Sequence, residues 1–474
     1  MYSLCRSKGG ENVKEKIDEE RVRLYSSDWR WSATIVGIFK YFQYLEMKGI
    51  KCDYNFDDDY IEFYTSDITE ENYLLFAEEH FREFMHHKEV EDLIQVIDPT
   101  EVQIKRVNEK LSKNTSSNTI MIKTFKGIKY DGQNADVIKK RIDENSFELI
   151  KQTFKGGRAL YYNFCNENNL LSEKEKSCRI RGYSVDMGKK GKSVSYMQNM
   201  KNFVYQDSKY FDFIPFAFSK TREAFFINNN FTIKQLIQTN KDYLLSDKKE
   251  VKVRSQLFLK TKESSSFIDY DVEVIKKDRD KDYFETIFVR KKATKIFSTI
   301  SEGIVAVLSK PCNVKRGEKS QDVWLNIETI VTDSILNGLK IDDLIERLFK
   351  AYNDHRFLIS HLIRINQMIY TGGDQMSEGQ KRAYGAAQEV KKALRGKENK
   401  IRSYEQRLIS SLTLKDYERV QEVLLHLSAF TQVRMDFLID VFNDFEANKN
   451  LVYTFINVLG EKKTFEGKEG IANG

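Results

Sequence analysis

The chain has little of what marks a secreted, membrane-spanning or disordered protein. Three prolines, 41% hydrophobic residues and 12% aromatics in 474 residues exclude a low-complexity or collagen-like polymer and supply bulk for a packed core. The five cysteines (Cys5, Cys52, Cys165, Cys178, Cys312) are few, odd in number and scattered, unlike a secreted disulfide framework. Reduced thiols are expected. No run approaches the roughly 20 apolar residues that a spanning helix needs, and residues 1–25 hold no apolar signal core. A cytoplasmic protein with no membrane partner is the expectation. Histidine is scarce too: the six (His80, His86, His87, His355, His361, His426) form no H-E-x-x-H pair, and none is followed by aspartate, which removes zincins and the histidine-aspartate phosphohydrolases.

Other catalytic signatures are incomplete. The run from Asp186 to Ser193 ends like a phosphate-binding loop, but Asp186 stands where the first glycine belongs. Asp269, Asp271 and Glu273 alternate along an expected strand, with Ile268, Tyr270, Val272 and Val274 on the other face, so they either line a nuclease site or face water. The wet face is the favoured reading, because no lysine stands two residues after Glu273. Cys165 and Cys178 sit 13 residues apart, like halves of a zinc ribbon. A ribbon needs four thiolates, and Asn168 and Arg181 occupy the second positions. Neither a metal nor a cofactor is expected, and no catalytic residue is assigned.

What is present is charge, unevenly distributed. The net charge is only +6, yet residues 53–101 hold 16 acids against 2 bases, while residues 176–201 hold 7 bases against 1 acid and residues 381–407 hold 9 against 3. The first basic island (Arg179, Arg181, Lys189, Lys190, Lys192) is punctuated by Gly182, Gly188 and Gly191, so it reads either as a mobile loop that closes on phosphate oxygens or as a solvated loop. The second (Lys381, Lys391, Lys392, Arg395, Lys400, Arg402, Arg407) flanks a helical pair that opens on a capping-box-like Ser377 to Gln380 and breaks at Gly396. It is either a groove for a single strand or a solvated helix face. The acidic window is unsuited to DNA and faces basic partners or water.

The expected fold class is α+β. Ser27 or Asp28 caps a helix carrying Trp31, Ile35, Ile38, Phe39, Phe42 and Leu45, ended by Gly49. An acidic turn, Asp57 to Asp59, reads as the tip of a hairpin, followed by helix to about residue 96. Residues 120–330 look mixed, with β-rich runs at 211–218, 224–227, 267–275 and 283–289, and strand signals vanish beyond 331. Two domains are expected: a mixed body with short β-sheets and helices over 1–330, and an all-helical bundle over 331–474. Within the body, Asn228, Asn229 and Asn230 fall at a turn, where they either shape the chain or offer donors and acceptors to a DNA groove.

Several motifs in order along the chain resemble one family. They are the tryptophan-bearing helix from Trp29 to Phe39, the Phe213-Ile-Pro-Phe-Ala-Phe218 segment with Phe225 to Asn230 after it, the strand Asp271 to Ile275, and the late Arg382 to Gly385 with Tyr404 to Leu408. Together they resemble the large subunit of type I CRISPR surveillance complexes, most closely the type I-B branch. The resemblance implies a non-catalytic subunit of an RNA-guided assembly, Cascade, in antiviral defence. It would recognise the flanking motif (PAM) beside the target, help open duplex DNA, stabilise the displaced single strand of the R-loop, and recruit a separate helicase-nuclease. Implied partners are crRNA, target duplex, displaced strand, the other Cascade subunits and the helicase-nuclease. The asparagine turn becomes the PAM-loop candidate, and the C-terminal helices resemble the Cascade small subunit. Relatives often carry paired C-x-x-C motifs, of which Cys165 and Cys178 would be a degenerate form. Met376 could start a separate small-subunit product confined to the basic helices, or simply follow a Gly-Gly loop. The rivals are a metal-dependent nuclease using Asp271 and Glu273, and a scaffold that binds only crRNA and partner proteins.

Overall fold

The computed structural model describes residues 14–16, 20–96, 98–113, 119–173, 178–181, 186–187, 192–193, 207–241, 270–315, 321–351, 354–372 and 376–461, with the backbone alone at 14–16, 186–187 and 192–193. Helix dominates, with small antiparallel sheets in the N-terminal part, so the fold is α+β. The chain separates into two compact units, one of residues 1–247 and 272–288, the other of residues 248–271 and 289–474. The sequence instead suggests a division near 330. The helices Lys291–Thr299 and Glu302–Leu308, rich in Thr, Val and Ile, already belong to the second unit; their β-branched composition imitates strand.

The first unit is built on a four-stranded antiparallel sheet of β1 (Lys14–Lys16), β2 (Arg21–Tyr25), β3 (Tyr54–Phe56) and β4 (Tyr60–Tyr64), in the order β1-β2-β4-β3. The acidic hairpin is as expected, with the Asp57 amide donating to the Tyr60 carbonyl at 3.0 Å. Alternation sends Val22, Leu24, Ile61 and Phe63 into the core and leaves Arg21, Arg23, Tyr60 and Glu62 on the other face. Helix α1 (Trp29–Met47) is capped by Asp28, whose carboxylate accepts the Arg30 amide at 2.8 Å and the Trp31 amide at 3.3 Å. Gly49 follows its end with φ +70°.

The first two turns of α1 are buried all round rather than along one stripe. A second element explains this: residues Lys209–Phe216 form a 3-10 helix, not the expected strand, and it lies against α1. Pro215 has no N–H to give a ladder, and Phe211, Phe213, Ile214 and Phe216 are all buried, so no inside-outside alternation exists. The approach is close enough that a methyl group on Gly37 would overlap the Phe213 carbonyl. Lys40 Nζ donates to the Phe216 carbonyl at 2.9 Å, and the Tyr73 hydroxyl, from helix α2 (Glu70–His80), donates to the Asp212 carbonyl at 2.7 Å.

Further along the first unit, Asp186–Met187 (β5) and Lys192–Ser193 (β6) pair as an antiparallel hairpin. A phosphate loop would instead join a strand to a helix. A three-stranded sheet follows, β7 (Glu223–Asn228), β8 (Val272–Asp278) and β9 (Glu285–Val289) in that order. Among its described residues the second unit is helical apart from the end of β9 and the short pair Cys312–Asn313 and Trp324–Leu325. Its main helices are α3 (Asp342–Phe349), α4 (Arg356–Thr371), α5 (Glu378–Ala393), α6 (Glu398–Thr413), α7 (Tyr417–Thr431) and α8 (Phe445–Leu459). Ala383, Ala386, Ala387 and Gly379 keep α5 slim where α8 packs on it. A buried clasp ties the rest: Asn366 Nδ2 donates to Asp342 at 2.7 Å and to Asn450 at 2.9 Å, while the Tyr453 hydroxyl donates to Glu346 at 2.8 Å. Among the described residues, no helix is long and apolar enough to cross a membrane.

Candidate nucleic-acid interface

Five helix ends of the second unit meet around a cleft of about 1390 Å³: the end of α3, the start of α4, the last turn of α5, the start of α6 and the end of α8. The last carbonyls of α8 are met at its end by the Gly460 amide, 3.2 Å from the Ile456 carbonyl, and the Glu461 amide, 3.3 Å from that of Val458, and the C-terminus carries partial negative charge. Two cations add to these bonds. Arg356 donates to the Ile456 carbonyl at 3.2 Å and the Asn457 carbonyl at 2.9 Å, and Lys391 Nζ to the carbonyls of Val458 at 3.0 Å and Glu461 at 2.8 Å. Arg356 also pairs with Glu405, and its guanidinium passes so close to Gly460 that any side chain there would collide with it.

The cleft walls carry six cations and four carboxylates. Arg356 and Lys391 are engaged as above, whereas Lys350, Lys392, Arg395 and Arg402 are exposed and have no ion-pair partner among the described residues. Of the carboxylates, Glu405 and Asp354 lie within ion-pair reach of Arg356, the latter at 3.9 Å, and Glu398 accepts the Gly396 amide at 3.2 Å. Glu461, the fourth carboxylate, is exposed, so the open charge of the cleft is four cations against one such acid.

The second basic island is thus only partly gathered. Lys391, Lys392, Arg395 and Arg402 line the cleft; Lys381 is at the far end of α5, held by Glu378 at 2.8 Å. Lys400 and Arg407 are exposed on α6 outside the cleft lining, the Arg407 guanidinium 5.7 Å from the Tyr404 ring centre. Lys350 and Arg356 are cleft residues that the sequence reading missed. No local signal marks them, since the carbonyls that Arg356 caps lie 100 and 101 residues away.

The first island changes character. Arg179 is not in a surface loop: its side chain is 2% exposed, bonded to Asp212 at 2.7 Å and to the carbonyls of Asn169 and Ser172, with Asp207 at 3.5 Å. Asp212 also accepts the Tyr161 hydroxyl at 2.5 Å and the Leu171 amide at 2.9 Å. Burial pushes the Asp212 carboxyl up, and Arg179, Tyr161 and the Leu171 amide pull against it. A guanidinium so enclosed is out of reach of a phosphate in solution. Arg181 lies over the Tyr162 ring at 4.0 Å and bonds Asp282 at 3.1 Å. The backbone of Lys192 is in β6; Lys189 and Lys190 lie outside the described residues.

The three asparagines are also differently placed. Asn228 is the cross-strand neighbour of Glu273 and donates to it at 2.9 Å; Asn229 is fully buried and donates to Thr239 Oγ1 at 2.8 Å. Both amides face inward because β7 is covered on both faces. Asn230 is half-buried at the turn, donating to the Ser26 carbonyl at 3.3 Å, beside exposed Phe231.

The candidate nuclease acids have structural partners: Glu273 as just described, and Asp271 as acceptor of the Lys291 amide at 2.8 Å. Asp269 lies outside the described residues. Cys165 and Cys178 are buried, their thiols directed at the carbonyls of Phe211 and Ile180, and burial pushes the Cys165 thiol well up, which disfavours the thiolate a metal would need. Among the described residues, no three His, Cys, Asp or Glu side chains are grouped to hold a metal ion.

Compared with known protein families, the chain matches the model of the CRISPR-associated protein Csx8 over residues 21–252 and 237–459. These two segments run through both units, and the protein belongs to that family. It is a CRISPR-associated protein. No matching curated protein and no matching solved structure were found.

Proposed function

We propose that the protein is a large-subunit-like component of a type I CRISPR Cascade complex that binds nucleic acid without cutting it, with the C-terminal cleft as its grip on a single strand. Four cations without ion-pair partners among the described residues, on the walls of one cleft, carry this reading, since a row of open positive charge binds a phosphate backbone irrespective of sequence. Family membership supplies the context, an assembly in which base pairing to crRNA reads the target. The partners in this reading are crRNA, target duplex, the displaced strand, the other complex subunits and the helicase-nuclease they recruit. Type I-B is the branch whose motifs the sequence most resembles. For PAM reading, Asn230 is the member of the asparagine turn nearest solvent, and Asn228 and Asn229 would hold the strand behind it. A non-catalytic role is supported by the engagement of Glu273 with Asn228 and of Asp271 with a backbone amide.

The experiment is salt-dependent binding of an unstructured DNA oligonucleotide. Log affinity should fall linearly with log salt, and each alanine replacement of Lys350, Lys392, Arg395 or Arg402 should flatten the slope by about 0.7. An unchanged slope in all four variants would remove the cleft from the binding surface. Divalent-metal-dependent cleavage abolished by Asp271→Asn or Glu273→Gln would replace this reading with the nuclease.

A further inference from the structure

Just outside the cleft, α6 and α7 carry a group of rings that neither the family match nor the cleft explains. Tyr404 on α6 is buried, and its hydroxyl lies 2.9 Å from His426 Nδ1 on α7, which fixes the imidazole beside it. Phe430, one helical turn beyond His426, has its ring centre 6.2 Å from that of Tyr404, and the imidazole centre lies 6.0 Å away. Phe430 is 48% exposed, and His426 and Arg407 are exposed with it. An exposed phenylalanine alone is ordinary. Here it belongs to a three-ring cluster locked by a side-chain hydrogen bond, with the Arg407 guanidinium 5.7 Å from the shared Tyr404 ring. No carboxylate is a member, and the acid one turn back on α7, Glu422, is held by Arg419 at 2.6 Å.

The position relative to the cleft gives the group its use. Arg402 lines the cleft, and Arg407, five residues on, is turned about 140° around the same helix at 3.6 residues per turn. A strand leaving the cleft across α6 would pass Ser403 and Gln406 and reach Arg407, with Phe430 behind it. Cation for phosphate and exposed ring for base is the combination that holds single strands, because every base has a face to stack. Paired duplex keeps its bases covered and cannot use it.

We propose that Phe430, backed by Tyr404 and His426, stacks an unpaired base of a single-stranded nucleic acid whose phosphates are held by Arg407 and the cleft; this rests on the cleft reading above. The test uses the full chain and an oligonucleotide with one 2-aminopurine, whose fluorescence is quenched on stacking. Phe430→Ala should weaken single-strand binding about 5- to 150-fold, the range for one lost base-aromatic stack, and abolish the quenching, with the salt slope unchanged. Phe430→Trp should preserve both, and Phe430→Leu should fail like alanine, which separates stacking from simple apolar contact. Should Phe430→Ala or Phe430→Leu bind as tightly as the native chain while the cleft variants flatten the slope, the stacking platform falls and the cleft stands. Should the cleft variants also leave binding unaltered, both fall. Parallel titrations with deoxyribose and ribose strands identify whether displaced DNA or guide RNA is the better occupant.

Discussion

At the scale of the residue, Arg179 shows how a charge is reassigned by folding. Counted along the sequence it belongs to a basic island, yet in space it neutralises Asp212 and closes the carbonyls of Asn169 and Ser172. A buried ion pair is a weak source of net stability, but removing one partner strands the other. Arg179→Met should therefore lower the unfolding free energy of the first unit by about 3–5 kcal/mol, read by urea denaturation, and leave the salt slope of nucleic-acid binding unchanged. A flattened slope with native stability would return Arg179 to the binding surface. Nothing in the local sequence marks Arg179 for the core, because its partner Asp212 lies 33 residues on. The asparagine turn has the same lesson. Asn tolerates turns and base edges alike, and only the pairing of Asn228 with Glu273 and of Asn229 with Thr239 shows where those amides point.

At the scale of the element, the sequence is most legible where one signal suffices. The start of α1 at one of its two candidate caps, Asp28, its end before Gly49 and the acidic hairpin tip are local, and each appears as expected. The segment 209–216 was legible only as aromatic and apolar, since its conformation follows from Pro215 and from the shape of α1. Gly37 is the hinge of that fit. Gly37→Ala would ordinarily favour a helix interior, but here the added methyl meets a backbone carbonyl that cannot rotate aside. The expected result is a loss of about 1–3 kcal/mol or more from overpacking, seen as a lower melting temperature. A melting temperature equal to or above native would show that the 3-10 helix does not press on α1.

At the scale of the whole molecule, counts of charge misread both signs. The acidic window is partly paired: Glu62 with Arg21 and Arg23, Glu78 with Lys88, Glu89 with Arg106 and Lys110, Asp92 with Arg82, and Glu70 with Lys151. A run of one sign in sequence is therefore diluted in space by bases from elsewhere in the chain. The cleft is the converse, assembled from helix ends far apart in the chain. That assembly also bears on the alternative that Met376 starts a separate product. Ser377 gives it a ready helix start, its side chain accepting the Gln380 amide at 3.1 Å. It would leave α3 and α4 behind, so Asn450 and Tyr453 would lose Asn366 and Glu346, and Arg356 would no longer cap α8. Expressed alone, residues 376–474 should unfold at lower temperature than the second unit within the full chain and bind a hydrophobic dye. Equal stability would mean that those helices complete their own core.

The meeting of α1 with the 3-10 helix has a bearing on ancestry. Two of the stretches that gave the chain its resemblance, the tryptophan-bearing helix and the Phe-Ile-Pro-Phe segment, are the two sides of one contact whose separation is set by a missing side chain at Gly37. Lineages that acquire a side chain at that site must reshape the opposite segment in step, and with it the anchorage of Asp212. Paired change at these positions is thus a marker by which distant members could be recognised when overall similarity has faded.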